Sequence, residues 1–126
     1  MSYQYEIKKA EGFIRVEVSG IRKPNYAGND ALGVWTDISA YAASVGINKV
    51  LYLSSVSGQI PVMEAYDVLD QFVEKQWIGL QVAYVDLGGS NIDDLRMLKA
   101  ICFQHGMLFD YFKSEDEGIR WLQALE

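Results

Sequence analysis

Residues able to do chemistry gather in two short stretches of this chain, Ser54-Ser55-Val-Ser57-Gly58 and Asp86-Leu-Gly88-Gly89-Ser90-Asn91. Hydroxyls, glycines and one carboxylate near helix starts can hold a small anion through backbone N–H groups. The same residue types serve equally well as ordinary turns and caps. Phosphate-loop chemistry would require a lysine after the glycines, and none follows. The second stretch also lacks the G-x-G-x-x-G spacing of a dinucleotide fold and comes late in the chain, so it reads as a turn plus a cap. A phosphorelay receiver needs an acidic pair after its first strand and a phosphoacceptor aspartate after its third. Ser19-Gly20 and Ser54-Ser55 supply no carboxylate at those places. If the chain were an enzyme, Asp86 would be the best candidate for its reacting acid.

The remaining reactive side chains read as structural. His105 is the single histidine and precedes Gly106 at the end of an expected helix, where the helix dipole favours a cation. Cys102 is the single cysteine, which leaves no disulfide framework and no cysteine-based metal cluster. Asp93-Asp94 and Glu115-Asp116-Glu117 fall in first helical turns, where acids are expected. No metal site and no cofactor is expected.

Aromatic residues are the least ordinary feature, with 3 Trp, 8 Tyr and 5 Phe. Trp35, Tyr41, Tyr66, Trp77 and Trp121 fall on expected helices, and Tyr26 in a loop. Filling the core accounts for most of them. The rest are candidates for a surface that binds a partner subunit or an apolar ligand, since such side chains are enriched at interfaces.

These residues must be positioned by a small fold. The chain has 126 residues, half of them apolar or aromatic, which suits one domain spanning 1–126. Its 11 basic and 17 acidic residues give a net charge of −6. That balance disfavours nucleic acid and anionic membrane surfaces; the one dense basic pair is Arg22-Lys23. No apolar run approaches the roughly 20 residues needed to span a bilayer, and the first residues do not read as a signal peptide. A cytoplasmic location is expected.

Residues 3–8 and 13–19 read as an antiparallel hairpin, with Ile14, Val16 and Val18 alternating against Arg15 and Glu17 in the pattern of a strand with one wet face. Residues 20–28 read as a loop. Asn29 or Asp30 then caps a helix whose inner face carries Leu32, Trp35, Ile38 or Ser39, Ala42 and Val45. Val50-Leu-Tyr-Leu53 is apolar at every position, as expected of a strand covered on both sides. The serines follow in a loop, and Pro61 opens a second helix. Residues 81–87 form a strand, Ser90 with Asp93 a capping box, and residues 108–112 a last strand before a second capping box at Ser114 and Glu117. Gly46, Gly79 and Gly106 each end a helix. The order is ββαβαβαβα: an α/β fold with a mixed, mainly parallel sheet and covering helices.

The element order resembles the SpoIIAA-like branch of the STAS (anti-sigma-factor-antagonist) superfamily, which is grouped on fold with Sec14-type lipid-binding domains. Residues 110–122, Asp-Tyr-Phe-Lys-Ser-Glu-Asp-Glu-Gly-Ile-Arg-Trp-Leu, are similar to that family's closing strand and its helix ending in Ala-x-x-Trp-Leu, with Gly118 in place of the alanine. The bacterial antagonists carry a phosphorylated serine at the start of the helix after the third strand. The matching region here, Gln59-Ile-Pro-Val-Met63, has no hydroxyl. The resemblance implies a non-enzymatic regulatory module that acts on a protein partner or as a homodimer. A small apolar-ligand or lipid carrier of the Sec14-like kind is the alternative, and an enzyme working at the carboxyl-end rim of the sheet is the third reading.

Overall fold

A computed structural model describes residues 3–23, 27–58 and 79–125. Five strands form one sheet: β1 (Tyr3–Lys9), β2 (Ile14–Ile21), β3 (Lys49–Ser57), β4 (Gln81–Asp86) and β5 (Leu108–Phe112). Three helices are described with it: α1 (Ala27–Val45), α2 (Ile92–Gln104) and α3 (Glu115–Ala124). The helix expected to open at Pro61 lies outside the described residues. None of the described helices is long and apolar enough to cross a membrane.

The strands lie in sequence order, β1-β2-β3-β4-β5, with β1 antiparallel to β2 and every other pair parallel. Right-handed crossovers that always step to the same side put their helices on one face of the sheet. The larger core follows from this. On that face Val16, Val18, Val50, Tyr52, Val82, Tyr84 and Phe109 meet Val34, Ile38 and Ala42 of α1, and Leu95, Ile101 and Cys102 of α2. Helix α3 follows β5 and closes the opposite face. There Leu51, Leu53, Ala83 and Val85 pack against Leu122 of α3, with Ile119, Trp121 and Leu125 at the margin. The apolar run of β3 is therefore covered on both sides, as its composition requires.

Three local expectations need correction. β3 continues through Ser57 because β2 runs to Ile21 and keeps pairing with it, Val18 to Ser54, Ser19 to Ser55 and Ile21 to Ser57. Ser54, Ser55 and Ser57 are thus strand residues, not loop residues. α1 begins at Ala27, so Asn29 and Asp30 lie inside its first turn rather than at its cap. The cap of α2 is Asn91, whose side chain accepts from the Asp93 N–H at 2.8 Å, and not the Ser90–Asp93 box. The second box is half formed: Ser114 Oγ accepts from the Glu117 N–H at 3.3 Å, and the Glu117 carboxylate accepts from the Ser114 hydroxyl at 3.0 Å rather than from its backbone N–H.

The glycine stops after α1 and α2 follow the expected geometry. After α2, Gly106 has φ +81°, and the N–H groups of Gly106 and Met107 return to the carbonyls of Phe103 and Cys102. This left-handed turn buries Met107 against the core.

Candidate functional site

The carboxyl-end rim of the sheet is built mostly for closure. Ser54 is 1 % exposed and its hydroxyl accepts from the Val56 N–H at 3.4 Å, while Ser55 Oγ donates to the Val18 carbonyl at 3.2 Å. Ser57 and Gly58 end β3 at the surface. Both carboxylate oxygens of Asp86 are occupied by Ser90, which donates its N–H at 2.7 Å and its hydroxyl at 2.9 Å. That clasp folds the Gly88-Gly89 turn back over the strand ends. At Gly88 a side chain would meet the Val56 carbonyl at 2.5 Å, so only glycine allows the approach. Asp86 thus organises a loop, and Asn91 caps the helix that follows.

Arg22 is the rim residue that its place in an expected loop did not single out. Its guanidinium donates to the carbonyl of Gly58 at 2.7 Å, to that of Val56 at 3.4 Å and to the Tyr84 hydroxyl at 3.0 Å. Burial pushes the Tyr84 phenol above its ordinary value, and Arg22 and Ser54 oppose that shift. Tyr84 continues a stack of rings across the core. Trp35 lies on Tyr52 at 5.0 Å, Tyr52 on Tyr84 at 5.3 Å and Tyr84 on Phe109 at 5.6 Å.

The aromatic candidates divide accordingly. Trp35 and Tyr41 are half-buried against the larger core, and Trp121 is half-buried against the smaller one, where its ring tilts on Phe112 at 5.6 Å. Tyr66 and Trp77 lie outside the described residues. Among the described residues, the aromatic side chain most open to solvent is instead Phe103 on α2, at 74 %. His105 Nδ1 lies 2.9 Å from the Ile101 carbonyl, at the end of α2. Among the described residues, no group of three or more His, Cys, Asp or Glu is placed to hold a metal ion.

A different region forms a groove. α3 covers the β3–β5 half of its sheet face and leaves the β1–β2 half open. The groove there has a volume of about 470 Å³ and is walled by Gln4, Glu6, Arg15, Glu17, Ser19 and Glu115, with Leu53, Ser55 and Leu87 on its floor. Register orders these side chains into rows. Lys8 stands opposite Arg15, Glu6 opposite Glu17, and Gln4 opposite Ser19, while Glu17 pairs in turn with Leu53 and Ser19 with Ser55. A cationic row, an acidic row and a neutral polar row therefore succeed one another toward the carboxyl ends.

Ion pairs run along the strands rather than across them. Lys8 reaches Glu6 at 2.7 Å, and Arg15 binds Glu17 and also Glu115 of α3 at 3.0 Å. Glu115 first, and then Glu17, hold the Arg15 guanidinium charged to higher pH than usual. Arg15 thereby ties the first turn of α3 to the open half of the sheet. The sequence carried a signal for this site, the polar alternation of β1 and β2. By itself that alternation says only that the face is wet, not that a neighbouring helix walls it into a groove.

No protein-family model and no curated protein sequence matches this chain.

Proposed function

We propose that this protein is a non-enzymatic regulatory module of STAS-like type that works by contact with another protein, and that the open half of the sheet face beside α3 is its contact surface. The observation that carries the reading is the half-covered face. The antiparallel edge pair β1–β2 can leave one face to water, and here that face forms a groove of about 470 Å³ next to a helix that closes the rest of the same side. The element order supports the STAS-like assignment: a hairpin, then parallel strands added in sequence, then a closing helix on the opposite face. The groove is open and polar-walled, unlike the closed apolar cavity that a lipid carrier would need. Asp86, the acid that rim catalysis would call on, has both oxygens engaged by Ser90.

Native mass spectrometry of the protein purified without added ligand tests this reading, with S55W as the comparison, since an indole at the groove floor would fill it. The expected result is an assembly of defined stoichiometry for the unaltered chain that S55W abolishes. A monomer carrying a few hundred extra daltons, lost on denaturation, would overturn the reading in favour of a carrier.

A further inference from the structure

The groove's charges are unbalanced in a way that specifies a guest. Its walls carry three carboxylates, Glu6, Glu17 and Glu115, against one guanidinium, Arg15. That guanidinium is already bound to Glu17 and Glu115. Glu6 and Glu17 stand directly opposite each other on neighbouring strands, a like-charge arrangement that costs stability by itself. Lys8 relieves Glu6 from one side only, and the Glu6 and Glu17 side chains remain 62 % and 58 % exposed. Toward the carboxyl ends the surface changes character. Gln4, Ser19 and Ser55 offer neutral hydrogen-bonding groups, and the exposed Leu87 and Ile21 add apolar area, 57 % and 60 % open to solvent.

Resting on the reading of this face as a contact surface, we infer that its occupant is a basic, amphipathic segment of a protein partner. A lysine or arginine of that segment lodges between Glu6 and Glu17, and its apolar neighbours lie against Leu87 and Ile21. The complementarity is specific in sign. An acidic segment would meet the like-charged row of Glu6 and Glu17 on a chain of net charge −6. A purely apolar segment would desolvate the Glu6–Lys8 and Glu17–Arg15 ion pairs without adding any polar group to them.

The test is an amide NMR titration of the intact chain with a hexapeptide alternating lysine and leucine, beside one alternating glutamate and leucine. The expected result is saturable shifts at Glu6, Glu17, Ser19, Ser55 and Leu87 with the basic peptide only. Its affinity should fall as salt rises from about 0.05 M to about 0.3 M, because exposed charge pairs are screened. In E6Q/E17Q the affinity should fall about tenfold, with circular dichroism unchanged, since both side chains are exposed. Shifts that map elsewhere, equal binding of the acidic peptide, or undiminished binding by E6Q/E17Q would overturn the inference. If S55W still abolished assembly in that case, the contact surface would stand and only the basic guest would fall. An assembly indifferent to S55W, together with no peptide binding, would remove both.

Discussion

Ser54 and Tyr84 show what a buried hydroxyl needs at the edge of a core: Ser54 accepts from the Val56 N–H, and Tyr84 accepts from Arg22. Burial carries a consequence at high pH. It raises the phenols of Tyr84 and Tyr52, the latter further through Tyr84 and Tyr3, and it pushes the Cys102 thiol from 9.0 up to about 12. In the unfolded chain these groups ionise near their ordinary values, while in the fold they keep their protons. Their contribution is therefore complete below about pH 9 and is lost as pH rises through the raised values. Each group weakens the fold by up to ~1.4 kcal/mol per pH unit in that window. Thermal melts between neutral pH and pH 11 should show a steady fall in Tm that begins near pH 9, and a flat profile would contradict the burial argument. Ser39 is the opposite case. It is 7 % exposed on α1 and its hydroxyl finds no hydrogen-bond partner among the described residues. S39A should leave stability unchanged or raise it by up to about 1 kcal/mol, because the desolvated hydroxyl is removed; chemical denaturation measures this.

Among the elements, α3 depends most on one small residue. Gly118 sits on the sheet, and a Cβ there would lie 2.9 Å from Leu51 Cδ1, 3.1 Å from Val85 Cγ2 and 3.4 Å from Ala83 Cβ. Gly118 is what lets the helix come this close. G118A gains about 1 kcal/mol of helix propensity and loses about 2 kcal/mol to overpacking. A net loss of about 1 kcal/mol is expected. L51V should relieve part of it, so a double-mutant cycle by urea denaturation should give a favourable coupling. Additive losses would mean that the helix shifts away as a whole. The cap matters separately, because Ser114 satisfies the Glu117 N–H at the end of α3 that walls the groove.

Across the whole molecule, stability should grade from the middle of the sheet outward. β3 is covered on both faces and paired on both edges, whereas β1 is an edge strand whose outer face is the open groove. Native-state hydrogen exchange should therefore be slowest in residues 50–53 and faster by orders of magnitude in β1. Comparable protection of β1 would show that its open face is covered in solution. A bound partner or second copy would produce that result, so the exchange pattern of β1 also reports on occupancy of the groove.

The sequence by itself determined the elements and their class. The all-apolar run Val50–Leu53, the alternation of β2 and the glycines after α1 and α2 are local signals, because strand burial, a wet face and a left-handed helix end are each properties of a few adjacent residues. What lay beyond that reach needed the third dimension. The length of β3 was decided by how far β2 accompanies it, which turned three loop serines into strand residues. Arg22 became a rim residue only when the ends of β2 and β3 met and Tyr84 came within its reach. The groove exists because successive crossovers packed α1 and α2 on one face and left α3 to cover half of the other. No single segment encodes that choice, since it follows from strand order and from the hand of the connections.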